Sequence, residues 1–249
     1  MRAKYLLAAV LLGPVCAGAA AVPGASDTTD HAYPAAYPKG HYAALDALPD
    51  WGGVWVVDST RPGSNEQPAL KGRYLADYRM WVQQVKATHG NVPHEGSYCL
   101  APGMPTMMGL GQYPIEFLFT PGRVTIHFEA WMQWRNVFTD GRKHPAADDL
   151  EPTFYGDSIG HWDGGTLVID TVGVKTITPL SQGMKHSDKL HLVERIHLTR
   201  NDPNTLVDEM TMEDPDALAK PWHLMHTYRR SRDMNLLEFM CEENDHTFH

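Results

Sequence analysis

The chain has 249 residues, a formal net charge of -9 and only three cysteines. That length supports one domain with a sizeable core. The acidic balance, with no Lys/Arg cluster beyond Arg229, Arg230 and Arg232, argues against a nucleic-acid partner, because phosphate binding needs grouped cations.

The N-terminus reads as an export signal over residues 1–21. Arg2 and Lys4 form a positive leader, Tyr5 to Val15 is a short apolar run, and Ala17-Gly18-Ala19 or Ala19-Ala20-Ala21 offers a small-residue cleavage site. The run is too short to span a bilayer, so the reading is a periplasmic or secreted protein with no membrane anchor once the signal is removed. Cys16 leaves with the signal, and Cys99 and Cys241 remain as a natural disulfide pair in an oxidising compartment.

Residues 22–49, rich in Ala, Pro, Tyr and Asp, read as an extended arm. A single domain then runs over 50–249. Trp51 to Val57 is its first strand. Leu70, Tyr74, Tyr78, Trp81, Val82 and Val85 share one face at helical spacing, which predicts a helix over about 68–89, with Gly90 as its stop. An irregular stretch, Asn91 to Pro114, contains the Met-rich run Gly103-Met104-Pro105-Thr106-Met107-Met108, which suits packing over a barrel end.

Hairpins follow. Phe117 to Phe119 turns at Thr120-Pro121-Gly122-Arg123 into Val124 to Phe128, and Met132 to Phe138 is a further strand. Ser158 to Trp162 meets Thr166 to Thr171 across Asp163-Gly164-Gly165. Leu190 to Leu198 meets Thr205 to Met212, and Trp222 to Arg229 meets Leu236 to Cys241. The fold class is therefore all-β: an antiparallel up-and-down meander of about ten strands closing into a barrel, with one helix outside it or across an end. Closure removes the exposed edges of such a meander. A two-sheet sandwich is the alternative.

The segment His186 to Leu198 carries the sharpest functional signal. Its period-two alternation puts Leu190, Leu192, Ile196 and Leu198 on one face with Glu194 among them, and His191, Val193, Arg195 and His197 on the other. A carboxylate on an apolar face is costly unless paired or used. Glu194 is thus the candidate general base or acid, or else half of an ion pair with a cation reaching across the barrel. His161, beside the Asp163-Gly164 turn and with Thr166 expected to face it, and His186, in the loop entering the Glu194 strand, complete a candidate acid/base set. Arg195, His191, Trp162, Tyr228 and Glu238, the last on the final strand, are candidate substrate contacts.

The sequence has no H-E-x-x-H, C-x-x-C or C-x-x-C-H, and residues 191 and 194 fall on opposite faces of a strand, so neither metal nor cofactor is expected.

Gly53-Val54-Trp55 resembles the G-x-W opening of lipocalins and calycins, which implies a ligand-holding barrel. Tyr113 to Leu118, Thr120 to Ile126, Ser158 to Trp162, His186-Ser187-Asp188 with His191 and Glu194-Arg195, and Cys241 to Asn244 are similar to a set of exported bacterial proteins of unassigned function. Two functions follow as expectations: a cofactor-independent lyase, isomerase or hydrolase acting on a partly apolar or aromatic small molecule, or a lipocalin-like carrier. A metal-holding envelope protein is a third. The oligomeric state is left open.

Overall fold

The structure, a computed structural model, describes residues 42–61, 63–64, 66–92 and 99–241. The expected export signal, the expected arm as far as residue 41 and the end of the Cys241 motif lie outside the described residues.

Nine strands close into one barrel in chain order. They are β1 (Val54–Val57), β2 (Ile115–Thr120), β3 (Arg123–Phe128), β4 (Gln133–Phe138), β5 (Asp157–Asp163), β6 (Thr166–Val172), β7 (His191–Thr199), β8 (Asp202–Glu213) and β9 (Trp222–Ser231). Three of the four expected hairpins form: β2 pairs with β3, β5 with β6, and β7 with β8. Gly122, at φ 72°, supplies the left-handed residue that the Pro121-Gly122 turn requires.

Three expectations need correction. The meander is not wholly antiparallel, since β4 and β5 run parallel through two pairs only, Val137 with Ser158 and Phe138 with Ile159. The 18 residues between them supply the crossover that a parallel pair needs. Residues 236–241 form no strand. β9 already has β8 on one side and β1 on the other, which closes the barrel and leaves no free edge for a tenth strand. Finally, Tyr42–Ala47 within the expected arm is a short 3-10 helix.

The helix, α1, spans Gly72–Ala87. It starts later than its apolar periodicity suggests because Leu70 is held in an isolated bridge to Leu218 and Lys71 N–H bonds Ala217 O. Gly183 lies under the Trp81 ring, where a Cβ would approach the indole to 2.2 Å, so only glycine fits there. Among the described residues no helix is long and apolar enough to cross a membrane.

Inward residues of every strand fill the barrel. Trp55, Ile126, Val137, Leu167, Ile169, Leu192, Ile196, Leu206 and Met212 are all fully buried. Met104, Met107 and Met108 are buried too, and the Tyr228 hydroxyl donates to Met108 O at 2.8 Å, so the Met run packs into the barrel as expected. Cys99 and Cys241 form the disulfide, with Cα atoms 5.6 Å apart. It ties the segment before β2 to the coil after β9.

Candidate functional site

Cross-strand register sets the interior in layers. One row runs Gly160, Ile169, Glu194, Met210, Leu224, and the next runs Trp162, Leu167, Ile196, Asp208, His226. Glu194 therefore points inward, as its alternation predicts, and is fully buried.

Its partner is Arg135 of β4, also buried. Arg135 Nη1 donates to Glu194 Oε1 at 2.9 Å and Nη2 donates to Oε2, a bidentate pair. Arg135 Nε donates to Ser158 Oγ at 3.1 Å, Nη2 also donates to Thr171 Oγ1 at 2.8 Å, and the two hydroxyls are 2.9 Å apart. One guanidinium thus joins β4 to β5, β6 and β7.

Asp208 is the second buried carboxyl. It is fully buried, and neither oxygen has a hydrogen-bond partner among the described residues. Burial holds its pKa well above the ordinary carboxylate range. The negative charge of Glu194 adds to that, and Arg135 opposes it. Opposite it on β9, His226 lies with its ring against Gly109, and burial lowers its pKa to about 4. The Tyr155 hydroxyl is likewise buried without a partner, and burial pushes its pKa up.

The remaining candidates do not gather around Glu194. His161 is exposed on the outer face and opposes Val168, not Thr166, which pairs with Asp163. His186 is buried in the connection before β7, its Nδ1 donating to Ser187 O at 2.6 Å and its Nε2 3.1 Å from Thr178 Oγ1. Desolvation lowers its pKa, partly offset by the Ser187 carbonyl. Arg195 faces outward and pairs with Asp163 at 3.0 Å. His191 also faces outward and bonds Asp170 Oδ1 at 2.8 Å, an oxygen that His144 Nε2 approaches at 3.2 Å. Tyr228 lines the interior. Glu238 is exposed on coil, not on a strand. Among the described residues no group of three or more His, Cys, Asp or Glu could hold a metal ion.

Trp162 faces an end of the barrel, where it packs edge-on against Trp51 and Phe119 with ring centroids 5.4 and 5.3 Å away. Beside this aromatic cluster lies a hollow of about 230 Å³, lined by Leu45 of the 3-10 helix, by Leu48 just after it, and by Phe119, Pro121, Val124 and Trp162.

Arg135 and Asp208 were missed from sequence, though each breaks an alternation as Glu194 does. Arg135 shares a face with Val137, and Asp208 shares one with Leu206 and Met210.

No protein-family model matches the chain, and a search of the curated proteins finds no match.

Proposed function

We propose that this is an exported, periplasmic or secreted, binding or carrier protein for a small, flat, largely apolar molecule, taken at the Trp162 end of the barrel. The observation that carries this is the hollow walled by Phe119, Trp162, Leu45 and Leu48, which offers aromatic and aliphatic surface and no charged side chain, and whose 230 Å³ limits the ligand to a small one. Export is supported by the Arg2/Lys4 leader and by the Cys99–Cys241 bridge. A carrier rather than an enzyme is favoured because both Glu194 oxygens are engaged by Arg135 and neither His161 nor His186 stands beside them.

The second reading is the acid/base enzyme, and Asp208 favours it. A buried carboxyl held in its neutral form can donate a proton, and burial, aided by the charge of Glu194, keeps it neutral.

One experiment separates them. Signal-free protein is incubated with a metabolite extract and followed by mass spectrometry, alongside Leu45→Glu and Asp208→Asn. A compound retained unchanged by wild type and Asp208→Asn but not by Leu45→Glu supports the carrier. A new product formed by wild type and lost in Asp208→Asn makes it an enzyme. Retention that survives Leu45→Glu refutes the hollow as the site.

A further inference from the structure

The outer wall of β7, β8 and β9 carries a second, chemically different hollow. The register sets its side chains in two outward rows. Val193, Thr211 and His223 form one, and Arg195, Glu209 and Met225 form the other. Together with Ser64, whose hydroxyl donates to His223 O at 2.8 Å, they enclose about 330 Å³. That volume lies at the small end of the range for ligand sites, about 300–1,000 Å³.

Two polar groups there are uncommitted. Glu209 lies directly across from Arg195, yet it has no hydrogen-bond or ion-pair partner among the described residues, because the Arg195 guanidinium turns away to Asp163. His223 Nδ1 is 3.1 Å from Thr211 Oγ1, which leaves Nε2 available to a ligand.

We propose that this hollow binds a neutral, hydroxyl-rich molecule, a saccharide of one or two rings. The lining selects the class. An anion would meet the Glu209 carboxylate, Arg195 is already balanced by Asp163, and Glu209 is exposed, where its attraction for a cation is weak. The remaining polar groups, Ser64, Thr211 and His223, suit hydroxyls: the carboxylate accepts from a polyol while the imidazole donates or accepts beside it. Val193 and Met225 give an apolar surface for the C–H face of the ring. The site lies on the outside of the wall, away from the Trp162 hollow, and does not depend on it.

Saturation-transfer NMR at pH 7 tests this with maltose, cellobiose and diacetylchitobiose as neutral probes, glucuronate as the anionic probe and glucosamine as the cationic one. Transfer to at least one neutral disaccharide is expected, with affinity at least tenfold weaker in Glu209→Ala and in His223→Ala. Both residues are exposed, so circular dichroism and melting temperature should match wild type. Leu45→Glu should bind the sugar as wild type does, so loss at the apolar end leaves this site standing. Transfer to none of the neutral sugars, stronger transfer to glucuronate or glucosamine, or wild-type binding by Glu209→Ala would overturn the proposal.

Discussion

Asp208→Asn should change how stability depends on pH. In the folded protein the Asp208 carboxyl keeps its proton well above the ordinary value of 3.8, so unfolding releases a proton over that window. Stability from this group is fully present below 3.8 and is lost as pH rises towards the folded pKa, by about 1.4 kcal/mol per pH unit. His226, opposite it on β9, acts with the reverse sign. Its folded pKa of about 4 lies below the ordinary 6.5, so its contribution is present above 6.5 and lost as pH falls towards 4. Where the two windows overlap, the two slopes oppose each other. Asn keeps the shape and removes the acid. The variant should therefore gain on the wild type as pH rises from 4 through the window, by up to about 1.4 kcal/mol per pH unit. At pH 4 the two should lie within about 1 kcal/mol, because acid and amide are equally without partners. Urea unfolding of both proteins with the disulfide intact, from pH 4 to 8, measures this directly, since the other titrating groups are common to both and cancel. Parallel curves would mean that Asp208 ionises alike in both states, and the account of the barrel interior would be wrong.

Two smaller effects follow from single contacts. Reducing the Cys99–Cys241 bridge, or replacing both residues with Ala, should cost roughly 4–5 kcal/mol on the chain-entropy model for a separation of 142 residues, read as a lower urea midpoint. Tyr228→Phe leaves Met108 O as a buried acceptor without its donor and should cost about 1–3 kcal/mol, with increased hydrogen exchange in the Met104–Gly109 segment.

Local pattern decided which parts of this molecule could be read in advance. Strands with one buried face and a Gly or Pro-Gly turn, such as β5–β6, were legible because period-two alternation and the turn residues agree. The inward position of Glu194 came from the same source. What failed depended on partners far along the chain. Leu236 to Met240 alternates well enough for a strand, but β1, more than 170 residues earlier in sequence, already occupies the β9 edge. His161 was placed near the right turn but one step from the inward row, which is enough to put it in solvent. Arg135 was within reach, as a cation on the apolar face of β4 that mirrors Glu194 on β7. Their pairing across the barrel is a tertiary fact that no local pattern contains.

The Arg135–Glu194 pair sits at a thinly paired part of the barrel. The β4–β5 seam, like β1–β2, has two register pairs, whereas β7 and β8 are paired along nearly their full length. Arg135 crosses that seam to Ser158, then reaches Thr171 on β6 and Glu194 on β7. A buried ion pair often adds little net stability over an apolar pair of similar volume, but breaking one half leaves a bare charge and costs about 3–5 kcal/mol. If the pair serves to fix the seam, stability and order should separate. Glu194→Gln should lose much of that amount. The double variant Arg135→Met/Glu194→Leu should recover most of it while the β4–β5 amides lose protection from hydrogen exchange relative to β7–β8. Wild-type protection at the seam in the double variant would show that the two strands hold their register without the pair, and would reduce Arg135 to a counter-charge for Glu194.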